Sequence, residues 1–169
     1  AFTFDSVDTN KPALMVREAG GTYRVATPAE ILAAGREAAE AHYTRGSNFG
    51  DPSAASGFFT AKLRGMEHEV FMVAFLDTRH RLIACETLGI GTVDGCEVHA
   101  REVVKAALRH NASAVLLAHP HPSGNPEPSA ADRAVTARLK AALALVDVRV
   151  VDHIIVGETT ASVAMRGLV

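Results

Sequence analysis

The chain has 169 residues, 48% of them hydrophobic and 21% charged, with a net charge of −2 and a pI near 6.5. That length suits a domain with a substantial hydrophobic core, and the composition excludes a low-complexity chain. Scattered Lys and Arg, two Tyr and no Trp provide neither the basic stripe nor the stacking platforms of a nucleic-acid surface, so charge does not support direct DNA binding.

No apolar run is long enough to span a bilayer and the start, Ala1 to Ser6, lacks a secretory pattern. The expected compartment is the cytoplasm, with no membrane contact. Cys85 and Cys96 make neither a disulfide framework nor a metal pair by spacing.

In chain order, residues 13–26 read as a β-hairpin turning at Gly20 and Gly21. Thr27, Pro28 and Glu30 form a capping box that opens a helix running to about Tyr43. A breaker-rich connector, 45–57, leads into a second helix near 53–63. The apolar run 70–76 predicts a buried central strand, and 81–85 an antiparallel neighbour. Residues 97–110 have helical spacing, 115–118 form the next strand, and 129–145 an amphipathic helix. Residues 148–156 and 162–165 supply closing strands. The sum is a mixed α/β sheet with helices on its faces, one domain from residue 66 onward with residues 1–65 as an appended hairpin and helical segment.

Chemistry concentrates where the strand at 115–118 ends. His119 and His121 are two apart, so on extended chain they share a face. With Asp132 they make the two-histidine, one-acid set of a catalytic zinc site that keeps a coordination position open. Manganese or Fe(II) would accept the same ligand types. Ser129 and Asp132 also read as a capping pair for the following helix. Hydrolysis would need a general base, and Glu67, Glu69, Glu86, Glu97, Glu102 and Glu127 are the candidates. Ser123 beside His121 reads as a turn residue, Arg101, Glu102 and Lys105 as a solvated helix face, and His153 as a satisfied core histidine.

His119-x-His121-Pro122, followed by Ser129 and Asp132, matches the JAMM signature of the JAB/MPN+ metalloproteases. Residues 69–83, 91–114, 121–132 and 150–157 resemble the RadC family of bacterial JAB-domain proteins, a likeness covering about 67–169. The resemblance implies a three-layer, cytidine-deaminase-like α/β fold with zinc held by His119, His121 and Asp132. It also implies Glu69 as the acid/base residue and Ser129 as donor to the oxyanion. The expected function is zinc-dependent hydrolysis of an amide or isopeptide bond in a protein or peptide substrate. Two alternatives stand beside it: a DNA-repair-associated or mobile-element accessory module with a non-catalytic metal, and a metal-dependent nuclease. The sequence departs from the family pattern at Pro120, where Asn is usual, and at Leu88 to Thr92, where a large side chain is lost. The N-terminal helix-hairpin-helix of longer RadC proteins is not recognisable.

Overall fold

A computed structural model describes residues 13–91 and 97–167; Cys96, Thr92 and the N-terminal start lie outside the described residues. The hairpin is β1 (Met15–Arg17) with β2 (Tyr23–Val25), and Gly21 takes a φ of 84° at its turn. Helix α1 (Pro28–His42) starts at the capping box expected of Thr27 and Glu30, with Arg24 forking onto the Glu30 carboxylate. Helix α2 (Pro52–Leu63) starts at Asp51, whose side chain accepts from Ser53 N.

The core is a five-stranded mixed sheet ordered β4-β3-β5-β6-β7. Its centre is β3 (Val70–Leu76) and β5 (Ala114–Pro120), antiparallel and nearly all buried. Strand β4 (Leu82–Ile90) flanks β3, and β6 (Arg149–Val156) runs parallel to β5. A parallel pair needs a crossover, here α4 (Ala130–Ala144). Helix α3 (Ala100–Arg109) connects β4 to β5. Side-chain alternation splits the core in two. Val73, Phe75, Val115 and Leu117 pack under α3 and α4, whereas Ala74, Leu116 and Ala118 pack against Phe58, Phe59 and Leu63 of α2. The result is a three-layer α/β arrangement, with α2 sharing the second core and α1 packed on α2.

Three boundaries differ from expectation. Strand β4 runs on to Ile90 instead of ending near Cys85, because pairing with β3 continues past a bulge at Phe71/Met72. Helix α3 begins three residues later than the apolar spacing suggests, with His99 at its N-cap. The last strand, β7 (Thr160–Ser162), falls earlier than the expected 162–165. Asp152 explains that: its carboxylate accepts from Ser162 Oγ and Ala164 N, pulling the chain into a turn. Among the described residues no helix is long and apolar enough to cross a membrane.

Candidate metal centre

Strand β5 ends at the lip of a cleft of about 730 Å3 lined by Glu69, His119, His121, Ser129, Asp132 and Arg138, among others. His119 is the penultimate residue of β5 and 4% exposed, its ring stacked on Phe71. His121 follows the strand, its N–H still donating to Val156 O of β6. By alternation from His121 the nitrogen of Pro120 points toward β3, two residues past Ala118, the last residue paired there. Proline's missing donor therefore costs no ladder bond. We expect Pro120→Asn to lower stability by less than about 1 kcal/mol, through unfolded-chain entropy alone, and to leave metal uptake unchanged; a thermal melt and a zinc titration check both.

Asp132 stands on the first turn of α4, facing both rings. His119 Nε2 lies 3.0 Å from Asp132 Oδ1, His121 Nε2 lies 3.3 Å from Oδ2, and the two Nε2 atoms are 3.0 Å apart. One ligand atom from each of the three lies within 4.8 Å of the other two. The capping reading also holds: Ser129 Oγ accepts from Asp132 N at 3.1 Å, and Asp132 Oδ2 accepts from Ser129 N at 2.7 Å. One carboxylate thus caps the helix and faces the histidines. The Ser129 bond uses a lone pair of the hydroxyl and leaves its hydrogen able to donate into the cleft.

Burial opposes the Asp132 charge, but the His119 and His121 imidazoles and the Ser129 N–H beside it outweigh burial and hold the carboxyl far below the usual range. The same carboxylate raises the His121 pKa against desolvation, with a smaller contribution from Glu69. His121 Nδ1 lies 2.6 Å from the carbonyl of Asn125, which only accepts, so Nδ1 carries a proton and Nε2 is left as the ligand atom. Two imidazole nitrogens and a carboxylate converging at this range suit a divalent cation.

The other glutamates sort themselves by partner. Glu86 pairs with Arg109 and His110, Glu102 with Lys105, and Glu127 with Arg166, all away from the triad. Glu67 is exposed, while Glu69 and Glu97 line the cleft and Glu69 is half-buried. Ser123 also lines the cleft, within a turn in which Gly124 N donates to His121 O. Cys85 lies on the other face of the sheet, and burial pushes its thiol up to about 12, unsuited to ligation at neutral pH.

The loop holding Asn125 is fixed from below by Gly157. A Cβ there would lie 2.2 Å from Gly124 O and 3.0 Å from Pro126 N. Gly157→Ala must push the loop away. We expect a loss of about 1–3 kcal/mol on overpacking grounds and weaker metal binding, since Asn125 moves with the loop; unchanged melting and zinc affinity would refute this.

Two residues that sequence reading left outside the site touch it. His153 Nε2 lies 2.8 Å from His119 Nδ1, and His153 Nδ1 lies 2.6 Å from Thr136 Oγ1. Numbering carries only part of the signal: Thr136 is one helical turn after Asp132, whereas the β5–β6 register alone puts His153 opposite Leu117, on the face that carries His119. His153 is indeed a satisfied core histidine, but its partner is a ring of the triad.

The RadC-like JAB domain family model matches residues 49–168. Relatives named "UPF0758 protein" share half of their aligned residues with this chain. One from Vibrio cholerae serotype O1 is 51% identical over 137 residues, covering 81% of this chain and 87% of the relative. One from Xanthomonas campestris pv. campestris is 55% identical over 126 residues (74% of this chain, 56% of the relative), and one from Nitrosococcus oceani 55% over 138 (81% and 62%). The chain thus spans under two thirds of the last two relatives. With a three-layer α/β fold, the His119–His121–Asp132 cluster at the end of β5 and a family match over most of its length, the chain belongs to the RadC-like JAB domain family.

Proposed function

We propose that the protein is a zinc-dependent hydrolase of JAMM type that cleaves an amide or isopeptide bond in a protein or peptide substrate. The observation that carries this reading is the convergence of His119, His121 and Asp132 at the wall of a cleft that Glu69 and Ser129 also line. Zinc held there would polarise a carbonyl and lower the pKa of water to about 7. The Glu69 carboxylate takes a proton from the attacking water and delivers it to the departing amine nitrogen. Ser129 donates its hydroxyl hydrogen to the developing oxyanion, a bond whose loss costs about 2.7–4 kcal/mol in comparable sites.

A structural zinc is closed by four protein ligands. Among the described residues three converge here, beside a cleft, which favours catalysis over a purely architectural metal. Three carboxylates on the cleft wall, Glu69, Glu97 and Asp132, against one cation, Arg138, likewise disfavour a phosphodiester, whose recognition draws on Lys and Arg. The test is hydrolysis of a panel of isopeptide- and peptide-linked fluorogenic substrates by the full chain. Activity abolished by a zinc chelator and restored by added zinc supports the reading; cleavage indifferent to the chelator would count against it.

A further inference from the structure

We propose that Thr136 and His153 are positioning residues for metal binding: the Thr136 hydroxyl, acting through the His153 ring, fixes the His119 imidazole with its proton on Nδ1 and its lone pair on Nε2. This rests on the reading of His119 as a ligand and goes beyond it, because neither Thr136 nor His153 touches the cation position.

The direction of every bond follows from one end of the chain. Thr136 Oγ1 lies 2.6 Å from the backbone carbonyl of Asp132, which can only accept, so the single hydroxyl hydrogen is committed there. The same oxygen lies 2.6 Å from His153 Nδ1 and must therefore accept from it. A neutral His153 protonated on Nδ1 has a lone pair on Nε2. That lone pair faces His119 Nδ1 at 2.8 Å, so His119 donates. His119 Nε2 is then bare and directed at Asp132 Oδ1 and His121 Nε2. No other polarity satisfies all three bonds while both rings are neutral.

Burial makes the relay binding rather than incidental. Thr136 and His153 have no solvent exposure and His119 has 4%, so water does not substitute for a lost partner. Phe71 packs edge-on against His153 and stacked against His119, holding both planes. The relay also closes on itself. It starts at the main chain of one metal-site residue, Asp132, and ends at the ring of another, His119, tying the first turn of α4 to the end of β5. A hydrogen-bond partner behind a histidine ligand sets its tautomer and orientation, and losing such a partner typically weakens metal binding 10–100-fold.

The experiment compares wild type, Thr136→Val and Thr136→Ser. Zinc affinity is measured by competition with a chromophoric chelator, and imidazole tautomers by long-range 1H–15N correlation spectra of the metal-free protein. Thr136→Val is expected to weaken zinc binding about 10–100-fold, and Thr136→Ser, which keeps the hydroxyl, to restore it to within a few fold. Wild-type spectra should show His153 protonated on Nδ1 with Nε2 accepting, and mixed His153 tautomers in Thr136→Val. A merely structural threonine would lower the melting temperature of Thr136→Val without moving affinity or tautomers, and that result overturns the proposal. Should Thr136→Val not fold, Thr136→Cys replaces it, with intermediate weakening expected and unchanged affinity overturning the proposal. A wild type that took up no zinc would defeat the metal-site reading on its own; the metal-free spectra still decide the relay, since His153 protonated on Nε2 contradicts it.

Discussion

Asp132→Asn is expected to leave the protein folded while reducing zinc affinity by more than about 100-fold, beyond the loss typical of an outer partner. The side-chain oxygen of Asn can still accept from Ser129 N, so the cap at the start of α4 persists. The N-cap residue, Ser129, is unchanged, and the change in helix stability should stay within about 1 kcal/mol. What Asn lacks is the negative charge that now stands 3.0 and 3.3 Å from the two imidazoles. The variant therefore separates the two duties of one residue. Ser129→Ala gives the complementary pattern: about 1 kcal/mol of cap stability lost, with zinc retained. Isothermal titration with zinc beside thermal melts of the metal-free proteins reads both. If Asp132→Asn bound zinc like wild type, the carboxylate would be a cap and nothing more.

Glu69→Gln is expected to retain zinc and to lower turnover by about 10²–10⁴-fold, the range of general acid–base catalysis. Gln is nearly isosteric and hydrogen-bonds, but it carries no proton between water and amine at neutral pH. Glu69 precedes β3, lines the cleft and acts electrostatically on His121, while Glu86, Glu102 and Glu127 are held in ion pairs elsewhere. Glu97 also lines the cleft and serves as the control. Glu97→Gln should change turnover little. Single-turnover assays on zinc-loaded protein distinguish the two, and a large loss confined to Glu97→Gln would transfer the acid–base role.

Much of this was legible because short-range physics wrote it into local pattern. The capping boxes at Thr27 and Ser129 appear as residue types at fixed offsets, and both form. The apolar run at 70–76 is continuous because β3 is buried on both faces, under α3 and α4 on one and α2 on the other. His119 and His121 meet because alternate residues of an extended chain share a face, and Asp132 reaches them because the turn after Pro122 returns α4 over the strand end.

What local pattern does not carry is contact between distant segments. The early end of β7 depends on Asp152 capturing residues ten and twelve positions away. Thr136 and His153 look unremarkable in sequence, since their role arises only when β6 pairs beside β5 under α4. Gly157 is similar: a glycine after an apolar strand reads as a turn, and only the approach of Gly124 O reveals why a side chain is excluded.

The central claim is that three side chains gather one zinc ion, and metal content tests it most directly. Inductively coupled plasma mass spectrometry on wild type and His121→Ala, purified side by side with zinc supplied and excess removed, should find about one zinc per wild-type chain and essentially none in the variant. Equal zinc in both proteins, or none in a folded wild type, would contradict the account.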